Sequence, residues 1–154
     1  MIDKKKLLQC LVILEILAIL ISSYLIYLHY KEGKSFCDIS ERFNCDIVNK
    51  SLYSELFGIP VALFGLITFL IMLGLTYNLF NKKSMNLFGF QLDYHNTIYL
   101  LFAILIFSVL FSAYLVYVEL FVLLSICLFC VVLDILIILM LIIIILLLKN
   151  GKKK

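Results

Sequence analysis

Apolar residues run along this chain in four blocks divided by polar breaks: Leu7–Leu28, Gly58–Phe80, Thr97–Val118 and Leu120–Leu148. At about 1.5 Å per residue each block is long enough to cross a hydrocarbon core about 30 Å thick. The pattern predicts an all-α membrane protein, a four-transmembrane-helix bundle forming one domain over residues 1–154. The spans are expected at 7–28, 58–80, 97–118 and 120–148, with an outer loop at 29–57, a cytosolic loop at 81–96 and a short outer connection around Val118–Leu120. Within the outer loop, Ile47, Val48, Leu52 and Leu56 can share one face, which predicts a short interfacial helix over Asp46–Leu56. Pro60 fits the first turn of the second span, where a missing N–H costs nothing. The first block follows Lys4-Lys5-Lys6 and has some look of a secretory signal. Its apolar stretch is too long and no small-residue cleavage site follows, so a retained span is expected.

Composition excludes an ordinary soluble domain: 65% of the 154 residues are apolar, 15% are charged, and the mean hydropathy is +1.17. The spans nearly use up the chain, leaving no room for a soluble catalytic domain. The basic residues set an orientation. Both termini and the 81–96 loop share a side that carries Lys4, Lys5, Lys6, Lys82, Lys83, Lys149, Lys152, Lys153 and Lys154, nine of the thirteen Lys and Arg. The other side has Lys31, Lys34, Arg42 and Lys50, offset by Glu32, Asp38, Glu41, Asp46 and Glu55. The termini are therefore expected in the cytosol. The net charge of +3 reflects this asymmetry and points to no nucleic acid. Tyr24, Tyr27, Tyr30, Tyr114 and Tyr117 fall near the outer boundary, where an aromatic belt is expected.

The chemistry sits in the cysteines. Cys127-Leu128-Phe129-Cys130 lies in the last block, and Cys127 precedes Leu148 by 21 residues, roughly 31 Å of helix. That places the CxxC at the outer edge of the hydrocarbon, within reach of Cys37 and Cys45 in the outer loop. All four then face the oxidising side, where disulfides persist. Cysteines three apart on a helix face the same way, so Cys127 and Cys130 can close an exchangeable disulfide. Plainer readings exist: two small packing residues in a greasy helix, a cysteine-stapled tetraspan scaffold, or a structural zinc site of four thiolates. Seven residues between Cys37 and Cys45 are wide for a zinc knuckle, and no metal is expected. Cys10 stands apart and is expected to be a buried thiol. Asp134 lies one turn deeper than Cys130 on the same helix face. An acid at that depth is a functional candidate, or a protonated carboxyl bridging to a neighbouring helix. Glu15 should sit roughly 9 Å nearer the cytosol than Asp134, too far for direct pairing. His29 and His95 fall at membrane edges and are expected to be solvated.

These residues together resemble the vitamin K epoxide reductase family, as a membrane domain without a thioredoxin-like extension. The matching features are Cys37 with Cys45, Ser51 six residues later, the stretch Tyr53-Ser54-Glu55-Leu56-Phe57-Gly58-Ile59-Pro60-Val61-Ala62, and then Cys127-Leu128-Phe129-Cys130. Helix number and pair order agree over nearly the whole chain. The resemblance implies a thiol:quinone oxidoreductase that supports disulfide-bond formation. Cys37 and Cys45 would take electrons from an extracytosolic thioredoxin-like (DsbA-type) partner. Freed Cys45 would attack Cys127, and Cys130 would pass the electrons to a membrane quinone of ubiquinone, menaquinone or vitamin K type. Ser51 would match the family's hydroxyl position beside the active pair. Animal members carry a quinone-contacting tyrosine where this chain has Asp134, which puts epoxide reduction in question and leaves quinone reduction intact; Asp134 is then a candidate quinone contact. The DsbB type also has four helices and two cysteine pairs, but its CxxC belongs to the first outer loop. Membrane lipid is the surrounding partner. The Phe57-Gly58-Ile59-Pro60 stretch resembles prokaryotic members, so a prokaryotic cytoplasmic membrane is expected.

Overall fold

The computed structural model describes residues 3–32, 37–38, 42–81, 85–87 and 90–151. Of the charges used for orientation, Lys34, Glu41, Lys82, Lys83, Lys152, Lys153 and Lys154 lie outside the described residues. Four helices are long and apolar enough to cross a membrane, covering Lys4–Tyr30, Val61–Phe80, Tyr94–Leu123 and Leu128–Asn150.

Helix α1, Lys4–Tyr30, starts where Asp3 caps it by accepting the Lys5 N–H at 3.1 Å, and it ends at Lys31, whose backbone is extended. Short α2, Cys45–Asn49, is capped by Asn44, whose Oδ1 accepts the N–H groups of Asp46 and Ile47, each at 3.0 Å. The expected single helix over Asp46–Leu56 does not form. After Asn49 come a 3-10 turn, Leu52–Ser54, and a two-stranded hairpin pairing β1, Glu55–Leu56, with β2, Ile59–Pro60. Serine hydroxyls account for the break: Ser51 Oγ donates to the Val48 carbonyl at 2.8 Å, and Ser54 Oγ reaches the Asn49 and Ser51 carbonyls, both at 2.7 Å. Val48 is buried, whereas Ile47, Leu52 and Leu56 are exposed. The hairpin turns at Phe57 and Gly58, with φ of 56° and 76°, the pair of positive values a tight hairpin requires. Pro60 is held in β2, so α3, Val61–Asn81, begins one residue after it rather than around it.

A second hairpin, β3 Met85–Leu87 with β4 Phe90–Leu92, occupies the 81–96 segment where only a loop was expected. Helix α4, Tyr94–Tyr117, then runs on through a π-helical turn, Val118–Leu123. The connection expected at Val118–Leu120 is therefore helical, and the chain turns at 124–127 instead. Leu124 makes the turn in the left-handed region with φ of 50°. Helix α5, Leu128–Gly151, closes the bundle.

The four long helices form a ring in which α1 packs on α3 and α5, and α4 packs on α5 and, more loosely, on α3. On α5, Leu136, Met140, Ile143 and Leu147 recur at helical spacing and are buried against Leu11, Met72, Leu101 and Leu105. The opposite face of α5 exposes Ile135, Ile138, Ile142 and Ile145, as a lipid-facing surface would. Cys10 is exposed on this outer surface, not buried as expected: in lipid an apolar thiol has no reason to turn inward. His29 is not solvated either. Its Nδ1 donates to the Asn49 carbonyl at 2.7 Å and its Nε2 lies 3.3 Å from Glu55. His95 is exposed and stacks on Tyr99.

Candidate functional site: two cysteine pairs over an apolar cavity

The CxxC is not inside a helix but at the start of one. Cys127 immediately precedes the first residue of α5, and the Cys130 N–H points back at Cys127 Sγ, 3.3 Å away. Cys127 thus takes the place a serine or threonine cap would fill. The partial positive charge of the helix N-terminus is directed at its sulfur. Tyr24 of α1 packs edge-on against Phe129, ring centroids 5.1 Å apart, which fixes this first turn against the bundle.

Cys37 and Cys45 are joined as a disulfide with Cα atoms 5.5 Å apart, while Cys127 and Cys130 are free thiols. The outer segment reaches the CxxC through its backbone. Ile126 N–H donates to the Arg42 carbonyl at 2.8 Å, and Asn44 N–H donates to the Ile126 carbonyl at 3.2 Å. Phe43 and Ile126 form a parallel bridge there. Cys37, Cys45 and Cys127 accordingly share one buried cluster with Leu25 and Val48, and Cys130 packs at its edge. Asn49 ties the same cap to α1, its Nδ2 donating to the Leu25 carbonyl at 2.7 Å.

Beneath this cap lies a cavity of about 640 Å³. Cys130 and Asp134 from α5 line it, with Ser51, Tyr53 and Ser54 above and mostly apolar side chains of α3 and α4 along its depth. Phe64, Ile71 and Phe107 line it while being exposed on the outside of the bundle, so the cavity opens sideways where α3 and α4 are least tightly packed. A largely apolar cleft of this size with a few polar groups suits a flat hydrophobic ligand. The structure brings all six sequence-derived residues to this end of the bundle: two in the buried disulfide, Cys127 beside it, and Cys130, Ser51 and Asp134 on the cavity wall. Ser51 has its hydroxyl proton committed to Val48. Asp134 Oδ1 accepts a hydrogen bond from Ser112 of α4, so the acid does bridge two helices. Glu15 pairs elsewhere, accepting from Thr76 Oγ1 at 2.8 Å.

One residue escaped the sequence reading. Glu119 falls within the connection expected around Val118–Leu120, yet it is buried, lines the cavity, and accepts the Cys127 N–H at 3.1 Å. Its carboxylate lies beside Cys130. The π-helical turn positions it, for its own carbonyl accepts the N–H groups of Leu124 and, at 3.2 Å, Ser125. The available signal was that Glu119 and Asp134 are the only charged residue types between Thr97 and Leu148.

The model of the vitamin K epoxide reductase family matches residues 9–145. None of the curated proteins compared with the chain is similar enough to match.

Proposed function

The chain belongs to the vitamin K epoxide reductase family, and from that premise we propose that it reoxidises an extracytosolic thioredoxin-like protein of DsbA type and passes the electrons to a membrane quinone. The family's activity is membrane thiol and quinone oxidoreduction, and the four spans make this an integral membrane protein. In the proposed cycle the partner's dithiol reduces Cys37–Cys45, and the freed Cys45 thiolate attacks a Cys127–Cys130 disulfide at Cys127. The loop disulfide re-forms and two thiols appear at the CxxC. Cys130, on the cavity wall, then faces the quinone; Asp134, as a protonated carboxyl, and Ser51, once its hydroxyl turns from the Val48 carbonyl, are the polar contacts for its oxygens. Ubiquinone, menaquinone and vitamin K types all suit a cavity of this character. The lysine distribution supports cytosolic termini, with the cysteines on the far side of a prokaryotic cytoplasmic membrane.

The observation that carries the reading is the shared placement of the two pairs. A disulfide and a thiol lie in one buried cluster, and the second thiol borders an apolar cavity open toward lipid. The test mixes purified protein with a reduced DsbA-type partner and a short-chain ubiquinone or menaquinone. Quinone reduction coupled to partner oxidation, lost in Cys130→Ala, is expected. Absence of quinone reduction with every acceptor would overturn the proposal.

A further inference from the structure

The proposed reaction must move protons as well as electrons, and the cavity wall holds a carboxylate for which that scheme has no use. Glu119 is 5% exposed, accepts the Cys127 N–H at 3.1 Å, and has its carboxylate beside Cys130. It holds the start of the CxxC from the neighbouring helix and lines the same cavity as Cys130. Building this contact takes two departures from regular backbone: a π-helical turn at Val118–Leu123 and a left-handed Leu124. Departures of both kinds gather at functional sites.

We infer that Glu119 is a catalytic carboxylate that takes the Cys130 thiol proton and delivers it to an oxygen of the quinone in the cavity. The inference rests on the quinone-reductase reading above. Two S–H bonds break and one S–S bond forms, releasing two electrons and two protons. The quinone accepts both electrons and, at its two oxygens, both protons, becoming the quinol. Glu119 returns to its starting state after each transfer, so no further reactant is needed. A thiol facing an apolar cavity has little water to take its proton, and a carboxylate beside it offers an acceptor. The other titratable groups facing Cys130 are Cys127 and Asp134. Asp134 accepts from Ser112 of α4 through Oδ1 and carries no hydrogen bond to the CxxC backbone, which Glu119 does.

The test compares wild type, Glu119→Gln and Glu119→Asp after full reduction. Glutamine keeps an oxygen for the Cys127 N–H, so the turn should persist. Single-turnover reduction of a short-chain quinone should slow about 100-fold in Glu119→Gln, with part of the rate restored in Glu119→Asp. A second readout uses no quinone: the pH curve for alkylation of Cys130 by a small maleimide should lose one ionisation step in Glu119→Gln. A rate close to wild type in Glu119→Gln would overturn the inference. So would a slowed rate with an alkylation curve of unchanged shape, because that would mean Glu119 only holds the backbone. A wild type that alkylates normally but reduces no quinone would overturn the quinone-reductase reading, and this inference with it.

Discussion

The backbone N–H of Asn44 donates to the carbonyl of Ile126 at 3.2 Å, and the next residue along each chain segment is a cysteine. This bond pins the loop disulfide to the CxxC through main-chain atoms, independently of either sulfur. It places Cys45 directly after the loop residues that pair with the CxxC segment, whereas Cys37 is outside that pairing. Removing Cys130 should therefore trap a Cys45–Cys127 disulfide on mild oxidation of reduced Cys130→Ala, leaving Cys37 free to alkylate. Peptide mapping by mass spectrometry under non-reducing conditions reads this directly. A dominant Cys37–Cys127 link would reverse the order of the relay.

Asn44 does more than supply that N–H. Its Oδ1 caps α2, and its Nδ2 donates to Asp38 Oδ1 at 2.7 Å. Asn44→Ala should cost about 1 kcal/mol of local stability through the lost cap. The looser loop would hold Cys45 beside Cys127 for less of the time. The yield of the Cys45–Cys127 crosslink in the Cys130→Ala background should fall, while the reaction of Cys127 with a small alkylating agent should rise. An unchanged yield would place the hold on the loop in the main-chain bonds alone.

Asp134 and Ser112 link α5 to α4 across the cavity wall. If the pair orients a quinone oxygen, Asp134→Leu should raise the KM for quinone about tenfold, the equivalent of losing about 1.4 kcal/mol of binding. Asp134→Asn still accepts from Ser112 and should be milder. Partner oxidation measured without quinone, as one turnover of the loop disulfide, should be unaffected in both. Steady-state kinetics that leave KM untouched in Asp134→Leu would reduce the pair to a helix clasp.

The membrane spans were legible because lipid demands long unbroken apolar runs, and those runs are visible without any packing information. The cysteine pairs were legible through spacing and depth. Helix ends were harder wherever a polar residue had two explanations. The connection expected around Val118–Leu120 contains Glu119, which is buried and accepts the Cys127 N–H, and the turn lies at 124–127. Nothing in local propensity announces a π-helical turn or a left-handed leucine, and these are what aim Glu119. Ser51 and Ser54 end α2 early through side-chain bonds to carbonyls, a competition the apolar pattern around Ile47 and Leu56 conceals. The Cys10 expectation failed for a different reason: soluble-protein burial habits do not hold when the solvent is hydrocarbon.

Glu15 offers a test of stability that is separate from the redox site. It is fully buried in the bundle, accepts from Thr76 Oγ1 at 2.8 Å through one oxygen, and has no partner for Oε2 among the described residues. Neither residue lines the cavity. Thr76→Val keeps the shape of the side chain but strips the carboxyl of its donor, which should cost about 1–3 kcal/mol because a buried polar group is left unsatisfied. Replacing both partners by apolar groups of similar size, as in Glu15→Met with Thr76→Val, should recover most of that loss. Thermal unfolding in detergent should therefore give a lower Tm for Thr76→Val than for the double variant, with quinone reduction per folded molecule equal in both. A double variant no more stable than Thr76→Val would mean that the carboxyl supports the bundle by some contact besides this hydrogen bond.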